Sequence, residues 1–297
     1  MSKSSWRWVR LGGSLLAGAL LAWWLLKQDW GTLWAALSRL SWPVLLAAFV
    51  LYWTGIAFNA ARWYTVLHGM KIKISGGKAL RLTFAGAFAS NFLPSTVGGD
   101  TLRVLGLLGG VTSASVAEAV TSVVVDRLLN VVAMYTFLPL TWLTYGATFR
   151  QMLPFGDGGG LFLLLPPGLQ AKLQQKLQSV GSSLATLRRS PQAIGQGFAL
   201  AWLSLLPPFT ATWLIAQALG IPVSWYEVAG TTVITYTITL LPIAFNGYGV
   251  REVSLAALYP LLGATPAQAL TLALVTRFLM AATTLTGALW VGEAVPR

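Results

Sequence analysis

The chain is poor in charged residues, lacks cysteine and has a single histidine. Only 9% of its 297 residues are Asp, Glu, Lys or Arg, whereas a soluble domain typically carries about 25%. Without cysteine the chain has no disulfide, no thiol nucleophile and no cysteine metal site. His68 stands beside Lys71 and Lys73 with no neighbour that would orient it, which favours an ordinary solvated position. We therefore expect neither an enzyme nor a bound cofactor.

Apolar residues take the place of the missing charges. They make up 56% of the chain, and the mean hydropathy is +0.68, so most of the surface should face lipid. The net charge of +12 is scattered between apolar runs, which favours anionic lipid headgroups over nucleic acid as partners. We predict one all-α polytopic membrane domain over residues 1–297, with room for roughly seven or eight spans of ~20 residues.

The order of apolar runs and basic loops predicts the topology. Spans are expected near residues 11–26, 42–61, 116–135, 193–218 and 266–291. The basic loop at 62–81 and the basic stretch at 169–191 should be cytoplasmic, as should the N-terminus. The loop at 220–226 has no Lys or Arg and should lie outside. The chain must then cross a cell (inner) membrane once more between residues 135 and 167.

Two apolar segments are too short to cross a bilayer. Residues 79–92 would form about 21 Å of helix, whereas the hydrocarbon core is about 30 Å thick, and residues 230–241 are similar. Each segment meets a proline, Pro94 or Pro242, and then a glycine-rich turn, so we predict a hinge at each proline. Interrupted segments of this kind predict re-entrant helical hairpins that line a protein-enclosed or watery cavity.

The two hairpins belong to an internal repeat. We predict repeat one at residues 42–145 and repeat two at residues 192–293, joined by a cytoplasmic linker at 169–191. Loop charges place the hairpins on opposite sides of the membrane, so the repeats would be inverted, as in many transporters. The alternative is chance similarity between apolar stretches. Leu93, Pro94, Gly99 and Arg103 recur with identical spacing as Leu241, Pro242, Gly247 and Arg251, and Arg127 matches Arg277 after a shift of two residues.

Charged residues within the apolar segments are the candidate substrate-binding residues. A charge at a helix centre costs roughly 2.5–3.5 kcal/mol, so each needs a partner or a watery cavity. Arginine suits anion binding because its planar guanidinium holds phosphate oxygens and stays charged, and glycine turns can add backbone N–H donors. The predicted set is Arg103, Arg127, Arg251, Arg277, Asp100, Asp126, Glu252, Gly98, Gly99, Asn246, Gly247 and Gly249.

Two interpretations of these charges stay open. They are either internal ion pairs that pin the hairpins, such as Asp126 with Arg103, or the lining of a cavity that attracts an anion. Asp100, Asp126 and Glu252 are also candidates for proton or ion coupling, since desolvation favours a protonated carboxyl. A stripe at i, i+4 spacing on one helix should face the bundle interior: Glu118, Ser122, Asp126 and Asn130.

Three motifs together resemble a known family. They are Asn91–Arg103 (NFLPSTVGGDTLR), the pair Asp126-Arg127, and Gly247–Glu252 (GYGVRE). With these motifs the chain resembles the lysylphosphatidylglycerol synthase transmembrane, or flippase-like, family, from about Trp42 to Val291. The resemblance implies movement of a lipid or lipid-linked precursor between leaflets. It also implies no lipid aminoacylation, which in the multiple peptide resistance factor belongs to a separate soluble domain.

The leading hypothesis is a lipid flippase or scramblase. The anionic headgroup, phosphatidylglycerol-like or linked through polyprenyl phosphate, would pair with arginines between the hairpins while the tails stay in the bilayer. The alternative is a secondary carrier of a small organic anion, which the same basic cavity would serve. An intramembrane enzyme is a poorer third reading. The sequence leaves open the lipid, the direction, the coupling ion and whether the protein is a homo-oligomer.

Overall fold

The computed structural model describes residues 31, 35, 38, 40–92, 98–109, 114–152, 191–240 and 249–294. Throughout these ranges the regular structure is helical. Ten α-helices are α1 Trp42–Gly69, α2 Gly76–Phe92, α3 Gly98–Leu108, α4 Val116–Tyr135, α5 Leu138–Met152, α6 Pro191–Ala218, α7 Trp225–Leu240, α8 Val250–Leu258, α9 Pro266–Leu285 and α10 Val291–Ala294. Two 3₁₀ helices are Tyr259–Leu262 and Thr286–Trp290.

Several predictions fall outside the described residues. They are the first span at 11–26, the linker up to residue 190, the hinges Pro94 and Pro242, and the turn residues Asn246 and Gly247.

Three helical stretches are long and apolar enough to cross a membrane: α1, α6 and Pro266–Trp290. The pair α4–α5 qualifies only as a unit, bent by 46°, and brings the number to four within the described ranges. The predicted all-α polytopic membrane architecture is therefore confirmed. The predicted span at residues 116–135 forms the 20-residue helix α4, which is long enough but carries three charged residues and qualifies only together with α5. α5 begins after a two-residue break.

The first described span is longer than its sequence predicted. We expected it to end at residue 61 and placed Arg62 in a basic loop, but α1 continues to Gly69. Residues 62–68 contain no proline or glycine, and Trp63, Val66 and Leu67 are fully buried. Burial of these side chains at helical spacing favours continuation of the helix. Arg62 is therefore a buried residue of the helix rather than a loop cation.

The same unit of four helices occurs twice. α1 and α6 each have 28 residues, α4 and α9 each have 20, and α2 and α7 have 17 and 16. α4 and α9 both begin with a capping box, formed by Ser115 with Glu118 and by Thr265 with Gln268. Such a box satisfies backbone N–H groups of the first helical turn. The internal repeat is therefore present in the fold as well as in the sequence.

The repeats are inverted, because their first helices run antiparallel. α1 and α6 pack along most of their length at the centre of the molecule. Gly55 brings the two backbones close, since an added Cβ would lie 3.0 Å from the Pro208 ring. The contacts run in opposite order along the helices: Tyr52 with Thr212, Gly55 with Pro208 and Arg62 with Ser204.

The last segment of each repeat packs on the hairpin helix of the other repeat. α5 packs on α7, where Thr141 donates a hydrogen bond to the Gly230 carbonyl at 3.0 Å and Tyr145 pairs with Thr231 at 2.7 Å. Correspondingly, the 3₁₀ helix Thr286–Trp290 and α10 pack on α2. Glycine permits both contacts, since a Cβ on Gly230 or Gly287 would overlap backbone atoms of the facing helix. This exchange joins each hairpin to the opposite repeat.

We expect Gly287→Ala to destabilise the protein by about 1–3 kcal/mol, as overpacking does elsewhere, because the added methyl meets the Phe84 carbonyl. The measurement is the thermal unfolding midpoint in detergent. The matched control is Gly292→Ala, five residues on, where a Cβ meets no atom within 4 Å. It should melt at or slightly above wild type, since alanine favours helix. Equal midpoints for the two variants would contradict the close packing of Gly287 on α2.

Candidate functional site

The structure gathers the charged residues of the first repeat into one cluster: Arg62, Asp100, Arg103, Asp126 and Arg127. Its centre is Asp126 on α4, which is only 2% exposed. Oδ1 accepts a hydrogen bond from Arg62 Nε at 2.7 Å, and Oδ2 accepts one from Arg103 Nη2 at 3.0 Å. The predicted pair Asp126–Arg103 is thus present. One carboxylate ties α1, α3 and α4 together.

Arg62 is the member that the sequence analysis missed. Its Nη1 also donates to Asn130 Oδ1 at 2.8 Å and to Ser204 Oγ at 3.2 Å, so it connects the cluster to α6. A signal was available in the sequence. Arg62 continues the buried face of α1 that includes Tyr52, Gly55 and Val66, and this spacing matches the helical period.

The other two arginines of this cluster differ in surroundings. The Arg103 guanidinium lies 4.2 Å from the centroid of the Trp63 ring, a cation–π contact, and 3.9 Å from Asp100. Arg127 pairs with Asp100 through its Nε, and its side chain is 56% exposed. Arg103 is therefore enclosed by protein, whereas Arg127 faces outward.

The predicted glycine turn of the first hairpin has a packing role. Gly99 is buried where α3 crosses α2, and a Cβ there would overlap the Gly86 carbonyl and the Ser90 hydroxyl. Its neighbour Gly98 is the first residue of α3. The absence of a side chain at Gly99 lets the two hairpin helices touch, which in turn positions Arg103. Whether the Gly98 and Gly99 amides also bind an anion stays a prediction.

The second repeat holds a smaller cluster: Arg251, Glu252 and Arg277. Glu252 is buried. Its Oε1 accepts a hydrogen bond from Arg277 Nε at 2.5 Å, and its Oε2 accepts one from the Gly249 backbone N–H at 2.8 Å. Gly249 has φ 77°, a conformation that glycine adopts without strain. Glu252 therefore fixes the start of α8 and the Arg277 side chain together.

Arg251 is half-buried and has weaker partners than the buried arginines Arg62 and Arg103. Its Nη1 and Nη2 both lie 3.3 Å from Thr276 Oγ1, and Nη1 lies 3.9 Å from Glu252 Oε1. The Thr276 hydroxyl donates its proton to the Ala273 carbonyl, so it offers Arg251 only an oxygen lone pair. Tyr52 and Tyr259 are the tyrosines that interact electrostatically with Arg251.

The two clusters are equivalent in part. Arg127 and Arg277 each bind a carboxylate of the neighbouring hairpin helix, but Asp100 lies one turn before Arg103, whereas Glu252 directly follows Arg251. Two counterparts lack charge altogether. Thr276 occupies in α9 the position of Asp126 in α4, and Ala211 occupies in α6 the position of Arg62 in α1.

Among the described residues, each cluster carries one excess positive charge. The first has three arginines against two carboxylates, and the second has two arginines against one. The clusters lie at different depths. Tyr52 packs in one apolar cluster with Leu255 and Tyr259 of the second repeat, and Arg62 follows Tyr52 by ten residues of α1. At 1.5 Å per residue this is about 15 Å along the helix axis. The arrangement provides two cationic positions spaced along the central helix.

The polar stripe of α4 is confirmed in part. Ser122 and Asp126 are buried and Asn130 is half-buried, as predicted. Glu118 is exposed instead, where it accepts the Ser115 N–H in the capping box. The physical reason is its place in the first helical turn, where free backbone N–H groups attract a carboxylate. Proton coupling through Asp126 is energetically unfavourable, because protonation would remove the negative charge that two buried guanidinium groups share.

Comparison with known proteins identifies the family. The family model described as the lysylphosphatidylglycerol synthase TM region matches residues 10–287. The chain belongs to this family. It is also 29% identical over 100 residues to UPF0104 membrane protein PH1989 of Pyrococcus horikoshii, a match that covers 33% of this chain and 30% of that relative. The chain is thus a multi-pass membrane protein, and the family is compatible with a lipid-related function.

Removing the charge of Asp126 should destabilise the protein strongly. Asp126→Asn keeps the shape but removes the carboxylate that Arg62 and Arg103 share, and breaking a buried ion pair in this way costs about 3–5 kcal/mol. We expect a large fall in the thermal midpoint in detergent. Glu118→Gln, on the exposed end of the same helix, is the control and should melt close to wild type. A midpoint for Asp126→Asn near that of the control would refute the central role of this carboxylate.

Proposed function

We propose that this protein is a lipid flippase or scramblase that moves an anionic phospholipid or a polyprenyl-phosphate-linked lipid between leaflets. The observation that carries the proposal is the pair of arginine clusters, each with one excess positive charge, on inverted repeats within an apolar helix bundle. A phosphodiester headgroup carries one negative charge and matches the excess of one cluster. Its acyl or prenyl tails would stay in the surrounding bilayer.

The spacing of the clusters supports transfer of a headgroup between leaflets. A charged headgroup meets its highest barrier at the centre of the hydrocarbon core, which is about 30 Å thick. Two cationic positions about 15 Å apart along α1 would lower that barrier on both sides of the centre. Movement of one repeat against the other, as inverted-repeat transporters use, would open each position to its own leaflet in turn.

The proposal includes an orientation. The C-terminal end of α1 leads to Lys71 and Lys73, whereas the loop between α6 and α7 has no basic residue. By the positive-inside rule the first cluster would lie towards the cytoplasm and the second towards the outside of a cell inner membrane, with the N-terminus cytoplasmic.

Cysteine labelling gives a direct measurement of this orientation, because the natural chain has no cysteine. Lys73→Cys and Tyr226→Cys both place a thiol at an exposed position. With a membrane-impermeant maleimide applied to intact spheroplasts, we expect Tyr226→Cys to be labelled and Lys73→Cys to be protected until the membrane is permeabilised. The opposite pattern would reverse the orientation, and equal labelling would reject it.

Lipid movement is the test of the function itself. Wild-type protein is reconstituted into liposomes with fluorescent phosphatidylglycerol, lysyl-phosphatidylglycerol, a polyprenyl phosphate or phosphatidylcholine, and the fraction quenched from outside is followed over time. We expect faster movement of at least one anionic lipid than of phosphatidylcholine, because only the anionic headgroup compensates a cluster. Heat-unfolded protein and empty liposomes set the background.

The same vesicles distinguish the alternative carrier function. If folded protein moves no lipid but takes up a water-soluble organic anion, then a secondary anion carrier replaces the flippase. If all lipids, including phosphatidylcholine, move equally fast, then the arginine clusters do not select the headgroup and the proposal loses its physical basis.

A further inference from the structure

We infer that the two clusters have different tasks: Arg251 in the second repeat is the arginine that binds the substrate anion, whereas Arg103, its counterpart, is a structural ion-pair residue. This inference rests on the proposed function for the identity of the anion as a lipid headgroup. It rests on the structure alone for the location of the site.

The difference begins at one position of the spanning helices. In α4 this position is Asp126, whose carboxylate lies 3.0 Å from Arg103. In α9 it is Thr276, whose hydroxyl lies 3.3 Å from both terminal nitrogens of Arg251. The geometry is alike, but the second site has an uncharged oxygen where the first has a full negative charge. Arg103 therefore has a carboxylate at hydrogen-bond distance, which it shares with Arg62, whereas the closest carboxylate to Arg251 is 3.9 Å away.

The nearest carboxylate, that of Glu252, does not supply the negative charge that Arg251 lacks. Glu252 binds Arg277 at 2.5 Å and the Gly249 backbone at 2.8 Å, and lies only 3.9 Å from Arg251 at its closest. Arg277 adds a second positive charge to the surroundings of Arg251. One carboxylate is thus shared between two guanidinium groups, and it is oriented towards Arg277.

The missing negative charge has a high free-energy cost only in the second cluster, because both of its arginines are largely buried. In the first cluster the outward-facing arginine is Arg127, with a side chain 56% exposed. In the second cluster Arg251 and Arg277 are 18% and 17% exposed, respectively. An uncompensated charge in an apolar interior is strongly unfavourable. A counter-anion that binds at Arg251 would remove this cost.

A buried hydroxyl that interacts electrostatically with Arg251 supports the same ligand. The Tyr259 hydroxyl is completely buried and has no hydrogen-bond partner among the described residues, yet Tyr259 is one of the groups that interact electrostatically with Arg251. A buried donor without an acceptor costs free energy until it is satisfied. Guanidinium N–H groups and a phenol O–H are donors that together suit a singly charged oxyanion, either a lipid phosphodiester or a free phosphate or carboxylate.

The decisive experiment supplies the missing carboxylate. Thr276→Asp gives Arg251 the partner that Arg103 already has, and Thr276→Asn gives the same shape without charge. Thermal midpoints of purified protein in detergent are measured against increasing phosphatidylglycerol, phosphatidylcholine or inorganic phosphate, since a ligand that binds the folded state raises the midpoint. Phosphatidylglycerol and phosphate separate a lipid source of the oxyanion from a soluble one.

We expect wild type to be stabilised by phosphatidylglycerol but not by phosphatidylcholine. Thr276→Asp should melt above wild type without lipid and bind phosphatidylglycerol about tenfold to a hundredfold more weakly, the range for losing a hydrogen bond to a charged group. Thr276→Asn should weaken binding by at most about threefold on the same scale. If Thr276→Asp binds phosphatidylglycerol as tightly as Thr276→Asn does, then the inference is wrong.

A second pair of variants keeps the inference testable if Thr276→Asp does not fold. Arg251→Gln removes a charge that has no full partner, so it should melt no lower than wild type and lose the response to phosphatidylglycerol. Arg103→Gln leaves Asp126 with one arginine and should melt below wild type. A fall in the midpoint for Arg251→Gln as large as for Arg103→Gln would show that Arg251 is structural and would overturn the inference.

The results also separate this inference from the proposed function. Lipid movement in liposomes that persists at the wild-type rate in Thr276→Asp would retain the flippase and reject the site. A wild-type response to inorganic phosphate that Thr276→Asp abolishes, without any lipid movement, would retain the site and reject the flippase. If neither phosphatidylglycerol nor phosphate stabilises wild type, then Arg251 binds no anion and the inference fails.

Discussion

The shared carboxylate of Asp126 is the interaction on which the first half of the molecule depends. It accepts hydrogen bonds from Arg62 and Arg103, and it thereby joins the central helix α1 to the hairpin helix α3 and the spanning helix α4. None of these three charges is tolerable alone in an apolar interior, where each would cost several kcal/mol. Because the three charges compensate one another only when α1, α3 and α4 lie together, the ion pairs with Asp126 determine the position of the first hairpin.

The central helices set the frame in which this pairing occurs. α1 and α6 are counterparts in the two repeats and pack antiparallel, with Gly55 against Pro208 near their middle. Antiparallel counterparts place the two arginine clusters towards opposite ends of one helix pair. The segments that follow α4 and α9 then cross to the hairpin of the other repeat. Displacement of one hairpin therefore acts on a helix that belongs to the opposite half, which is a mechanical route for coupling the two sides.

The sequence predicts this architecture well where residue chemistry repeats and poorly where packing decides. Arg103 and Arg251 keep the same distance from Pro94 and Pro242, so the repeat and its hairpins were visible. Loop charge assigned Arg62 to a loop, although its spacing from Tyr52, Gly55 and Val66 follows the helical period; only the packing of α6 on α1 shows that this face is buried.

The sequence identified acidic residues as the partners of the arginines, but it did not show which carboxylate pairs with which arginine. Asp100 precedes its neighbouring arginine by three residues and Glu252 follows its neighbour directly, yet both reach the matching arginines Arg127 and Arg277. Equivalent contacts can thus come from non-equivalent positions, because a helix turn brings residues separated by three or four positions to one face. Sequence register alone therefore identifies the arginine of each pair but not its partner.

If the protein moves lipid as proposed, the difference between Asp126 and Thr276 has a thermodynamic consequence for that movement. A protein that is not coupled to an energy source cannot change the equilibrium distribution of a lipid between leaflets, since its binding free energies cancel over a complete cycle. It can set the affinity that a headgroup meets on each side. Arg103, which is paired with Asp126, would then bind an anion weakly, whereas Arg251, which has the Thr276 hydroxyl at the same place, would keep its charge for the anion. Loading would then be tighter from the side of the second repeat, and release would be easier past the first. Inverted repeats supply the symmetry that a two-sided path needs, and one substitution within that symmetry gives the two ends different affinities.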